Sequence, residues 1–133
     1  MRNFVLDSFA LLAYLEDEPG AEKVERLLGQ AEKSKNDLVM SIVNWGEVYY
    51  SLYRSKGVAT AEDALLIIDQ LPITLVDVKR DFMYVVAQIK ARHSIALGDC
   101  FAAALAIEQG MPIITGDKEF EKLGDQIDIE WLK

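Results

Sequence analysis

Cysteine and histidine are almost absent from these 133 residues, which hold one of each, Cys100 and His93. A lone thiol cannot close an internal disulfide, and without a Cys/His cluster there is no zinc or iron–sulfur site, so any metal must be held by oxygen. With one histidine and no nucleophile motif, Ser-His-Asp and Cys-His chemistry lack support. Long apolar runs are missing too. No stretch approaches the roughly 20 residues of a membrane span, and charged Arg2 precedes only a few apolar residues before Asp7, so neither a signal peptide nor a membrane partner is expected, and the expected location is cytoplasmic. Basic residues are in deficit, 14 against 22 acidic, for a net charge of −8. That balance argues against a broad electrostatic surface for nucleic acid, an objection that weakens if several acids are metal ligands. Walker A and Rossmann glycine patterns are also missing, which speaks against nucleotide cofactors.

What is present suits one compact domain over residues 1–133, with 51% hydrophobic residues. Short apolar runs at Phe4 to Leu6, Leu38 to Ser41, Ile73 to Val78 and Pro112 to Thr115 read as strands, and Ile127 to Leu132 reads as an edge strand. Between them lie helical patterns: Ser8 to Leu15, Ala21 to about Lys35, Ile42 to Lys56, Ala61 to Leu71, about Arg80 to Arg92, Cys100 to Gln109, and a short one over Lys118 to Leu123. Strands alternating with helices predict an α/β three-layer sandwich with a mainly parallel central sheet of four to five strands.

Four acids fall at strand ends or helix starts: Asp7, Glu47, Asp99 and Asp117. Each has an ordinary explanation. Asp7 and Asp117 can cap the helices that follow, Asn44 to Glu47 has capping-box spacing, and Asp99 suits the positive end of a helix dipole. Their joint placement is harder to dismiss, because the carboxyl ends of parallel strands and the helix starts after them share one sheet edge. Two carboxylates about 5 Å apart repel by roughly 3 kcal/mol at an effective dielectric near 20. Four converging acids therefore call for a hard divalent cation such as Mg²⁺ or Mn²⁺.

Asp7-Ser8 followed by Ala10 to Ala13, Asn44-Trp45-Gly46-Glu47-Val48, Asp99-Cys100-Phe101 with Ala102 to Ala104, and Thr115-Gly116-Asp117 with Phe120 occur in this order. The pattern resembles the PIN domain, specifically the VapC toxin type, from Phe4 to about Phe120. The resemblance implies a Mg²⁺- or Mn²⁺-dependent ribonuclease that leaves a 5′ phosphate. Asp7 and Asp99 would be the closest metal ligands, and Glu47 and Asp117 would complete the site directly or through water. Ser8, Asn44 and Thr115 would orient carboxylates or substrate. Lys118, directly after Asp117, reads either as a solvated charge or as a cation that meets a substrate phosphate. Implied partners are an RNA substrate, a cognate antitoxin protein and a second copy in a homodimer.

Cys100 stands where the family commonly has alanine and reads as a core residue. Trp45, Tyr49 and Tyr53 recur every four residues, a stripe that suits a core or an interface. His93, near a helix end with Lys90 and Arg92, suits a dipole contact or a basic patch. Two other classes compete with this reading: a PIN-like binding module devoted to dimerisation and partner docking, and a phosphatase or receiver domain. Phe9 stands where a haloacid-dehalogenase phosphatase needs its second aspartate, and the receiver's early acidic pair is absent.

Overall fold

The computed structural model describes residues 3–132. Five strands form one sheet: β1 (Phe4–Leu6), β2 (Leu38–Ser41), β3 (Ile73–Val76), β4 (Ile113–Thr115) and β5 (Ile129–Trp131). Their order is β3-β2-β1-β4-β5 and every pairing is parallel. Six α-helices cross between them: α1 (Ser8–Leu15), α2 (Ala21–Glu32), α3 (Ile42–Lys56), α4 (Val58–Asp69), α5 (Arg80–Arg92) and α6 (Leu97–Gln109). A 3-10 segment, Lys118–Gln126, joins β4 to β5.

The central strands are apolar at almost every position because both of their faces are covered. In β1, Phe4 and Leu6 join the core built with α1 to α4, while Val5 faces the core built with α5, α6 and the 3-10 segment. β2 and β4 divide the same way: Leu38, Met40 and Ile114 go to the first core, Val39 and Ile113 to the second. This is the expected three-layer sandwich, with five parallel strands. Cys100 is fully buried in the second core, and burial raises its thiol pKa. Trp45 and Tyr49 pack partly against the first core, whereas Tyr50 and Tyr53 are exposed.

One helix cap and two helix starts differ from the sequence reading. α3 is capped by Ser41, whose hydroxyl accepts from the Val43 amide at 3.2 Å, so Asn44 already lies in its first turn and Asn44 to Glu47 is no capping box. α4 begins at Val58, directly after Gly57 and three residues before Ala61. α6 begins at Leu97, three residues earlier than expected, because extended Ala96 starts it without any polar cap to announce it. Gly98 and Asp99 therefore sit in its first turn. Among the described residues no helix is long and apolar enough to cross a membrane.

Candidate active site

β1 and β4 are neighbours in the sheet, so their carboxyl ends deliver Asp7 and the Thr115-Gly116-Asp117 turn side by side. Asp7 is 2% exposed. Its Oδ1 accepts from the Ala10 amide at 2.8 Å, which caps α1. Its Oδ2 accepts from the Thr115 hydroxyl, and the same Thr115 Oγ1 accepts the Asp117 amide at 2.9 Å. Asp117 Oδ1 in turn accepts from the Glu119 amide at 2.9 Å. Both aspartates are thus caps, as the ordinary reading proposed, and Thr115 ties the two caps together.

Asp99 comes from the first turn of α6. Loss of hydration pushes its carboxyl up to about 7; the charges of Asp117 and Glu47, a side-chain hydrogen bond with Asp117 and the charge of Glu119 act in the same direction. Asp7 is also pushed up to about 7, chiefly by burial. The bonds from Thr115 and Ala10 oppose the shift, and the charges of Asp99 and Asp117 add to it. Asp7, Asp99, Asp117 and Glu47 therefore form one repelling group, and among the described residues no cation forms an ion pair with any of them.

Glu47 is held from two sides. Asn44 Nδ2 donates to Glu47 Oε1 at 2.7 Å and to the Gly98 carbonyl at 3.1 Å. Two acceptors on one side fix the amide's orientation and leave Asn44 Oδ1 buried without a partner. Gly98 provides the space: a Cβ there would lie 2.0 Å from Glu47 Oε2. The sequence pattern pointed to Glu47 and Asn44 but gave no reason to single out Gly98, whose role appears only when α3 and α6 pack. Gly116 has a similar part, since a Cβ there would lie 2.4 Å from Phe9 Cε1.

Ser8 makes no side-chain hydrogen bond to the four acids among the described residues, and Lys118 is exposed beside Asp117. His93 ends α5, its ring 3.1 Å from the Gln126 amide nitrogen. Among the described residues no three His, Cys, Asp or Glu side chains are arranged to hold a metal ion as they stand. The donor set is nonetheless all hard oxygen, and its mutual repulsion is relieved by a divalent cation or by protons.

The PIN domain family model matches residues 4–126, and the chain belongs to that family. No curated protein matches the sequence. Among solved structures, the fold is similar to VapBC2 from Rickettsia felis bound to a promoter DNA fragment, at 16% identity and TM-score 0.77 over 97% of this chain and 98% of that one. DNA-bound VapBC from Salmonella typhimurium is similar at 18% identity and TM-score 0.74 over 100% of each chain. VapC20 of Mycobacterium tuberculosis, described as a toxin cleaving the sarcin-ricin loop, is similar at 21% identity and TM-score 0.71 over 92% of this chain and 95% of that one.

Proposed function

We propose that the chain is a metal-dependent endoribonuclease and the toxin of a toxin–antitoxin pair. The observation that carries this reading is the convergence of Asp7, Asp99, Asp117 and Glu47 on one sheet edge, with no ion-pairing cation among the described residues and two carboxyls pushed up to about 7. Natural folds rarely tolerate such repulsion without using it, and perturbed acids gathered at one edge are a functional-site signature. Membership of the PIN family and similarity to VapC structures support the same reading.

In this reading Asp7 and Asp99 would hold Mg²⁺ or Mn²⁺, with Glu47 and Asp117 completing the set directly or through water. The ion, when bound, supplies positive charge for the phosphate oxygens and activates water against phosphorus. The chain's own groups do the positioning. Thr115 donates to Asp7 Oδ2 and accepts from the Asp117 amide, which fixes the Asp7 carboxyl and the Asp117 backbone before substrate arrives. Asn44 and Gly98 hold the Glu47 carboxylate against the start of α6. Lys118, exposed and adjacent to Asp117, offers an ammonium to the RNA backbone. Water adds to phosphorus, the P–O3′ bond breaks, the 3′ oxygen takes a proton, and the other fragment keeps a 5′ phosphate.

The antitoxin belongs to the same proposal, since several similar structures are VapBC complexes. A groove of about 300 Å³ between α1, α3 and α4, lined by Leu15, Leu52 and Ile67 together with Glu16, Lys56 and Asp63, suits an amphipathic helix. Exposed Met83 and Tyr84 on α5 offer a face for a second copy. The test of the chemistry is cleavage of structured RNA by purified protein with Mg²⁺ or Mn²⁺. Loss of cleavage in EDTA and in Asp7→Asn is expected; an Asp7→Asn protein that cuts as well as wild type overturns the assignment.

A further inference from the structure

A second cleft, about 640 Å³, is lined by Phe9 of α1 and by Gly116 and Lys118, the residues on either side of Asp117. Its walls carry Phe9, Pro19 and Trp131, and its charged groups are Lys118, Glu18 and Glu121. We infer that this cleft is the subsite for one unpaired nucleobase of the RNA, next to the phosphate that is cut. The inference rests on the ribonuclease reading and adds to it the part of the substrate that is recognised.

The placement of the two aromatic rings carries the argument. Phe9 lies two residues after Asp7, and its ring rests on Gly116, one residue before Asp117. It is 45% exposed although it has this partner, so a face remains open to solvent. Trp131 is in register with Thr115, whose hydroxyl holds Asp7, across β4 and β5. Each aromatic wall is thus tied to residues that position the acids. Proteins that read single-stranded RNA stack splayed bases on such rings and bond the base edges.

The charges fit the same occupant. Lys118, adjacent to Asp117, is placed to meet a phosphate oxygen on the acid side. The carboxylates of Glu18 and Glu121 are acceptors, which favour a base edge that presents amino and N–H donors, as guanine does, over one that presents mainly carbonyls, as uracil does. A cleft of this size lies within the range of small-ligand sites.

The test is titration of the protein, in EDTA, with the four 5′-nucleoside monophosphates and with guanosine, followed by calorimetry. Working without metal separates base binding from cleavage. Saturable binding is expected, with GMP tighter than UMP. Phe9→Leu and Trp131→Leu, which keep apolar bulk but remove the stacking face, should each weaken GMP by about tenfold. Lys118→Ala should weaken GMP and leave guanosine unchanged. Melting curves of the three variants should match wild type; if a leucine variant melts early, Phe9→Tyr or Trp131→Phe, which keep a ring, should restore both stability and binding. No saturable binding of any nucleotide, or binding indifferent to both leucine variants, overturns the inference and leaves the cleft to a polypeptide. If wild type binds GMP as expected but cuts no RNA with metal, the ribonuclease reading fails and the base subsite stands. If it cuts RNA with the same site preference in wild type and both leucine variants, the subsite fails and the ribonuclease reading stands.

Discussion

Two neighbouring strands of the sheet hand over to helices in the same way with different chemistry. Asp7 follows β1 and Ser41 ends β2. Both residues are buried, both have extended backbone, and both accept an amide hydrogen bond from the helix that follows, Ala10 to Asp7 and Val43 to Ser41. Ser41 does this with a neutral hydroxyl. Asp7 does it with a carboxyl that burial pushes up to about 7. Capping alone does not require a charge there, so the ionisable group at the first junction is surplus to folding, and the other three acids converge where that surplus lies.

Substituting Asp7 separates the two jobs most sharply. Asp7→Asn keeps an excellent cap, so the metal-free protein should fold and melt no lower than wild type. Cleavage should fall by about 10²–10³-fold, the scale seen when one preorganised electrostatic group is removed, and the rise in melting temperature on adding Mn²⁺ should shrink. If Asp7→Asn instead unfolds the metal-free protein, the charge at this junction is structural and the contrast with Ser41 disappears.

The next effect is on pH dependence. Asp7 and Asp99 have folded-state values near 7 against about 3.9 for an unfolded aspartate. The folded state therefore binds more protons between these limits, so their contribution to stability is intact below about pH 4, declines as pH rises towards 7 and is flat above. Metal-free wild type should lose melting temperature from pH 5 to pH 8, and Asp99→Asn should lose less. Equal slopes in the two proteins would show that Asp99 ionises without cost.

Gly98 sharpens the comparison from the side of α6. Gly98→Ala places a Cβ 2.0 Å from Glu47 Oε2 and should destabilise by about 1–3 kcal/mol, as overpacking does. In a Glu47→Ala background the same change should cost almost nothing or stabilise slightly, since alanine favours the helix. A melting-temperature double-mutant cycle reads this coupling, and additive effects would contradict the contact. The smallest effect belongs to the neutral junction: Ser41→Ala should cost about 1 kcal/mol of stability by removing a cap and leave RNA cleavage unchanged.

Much of the fold was legible because its strands are short and doubly buried, so they appear as compact apolar runs with turn signals between them. β1, β2, α1, α3 and α5 have the bounds the sequence suggested. The misplaced starts share a physical cause. α6 follows Ala96 and α4 follows Gly57 without side-chain caps, so no local residue marks them. At the candidate site, the types and spacing of Asp7, Glu47, Asp99 and Asp117 were visible, together with Asn44 and Thr115. Gly98, Gly116 and Trp131 were not, because their parts depend on contacts between elements far apart in the chain.

Thr115 links the two capped turns through one oxygen, which donates to Asp7 and accepts from the Asp117 amide. The turn at Asp117 cannot fray without also disturbing the end of β1 in the centre of the sheet. The two ends should open as one cooperative unit, and exchange of the Asp117 amide with solvent deuterium should be as slow as that of the buried strands it leans on, unusual for a turn at the protein surface.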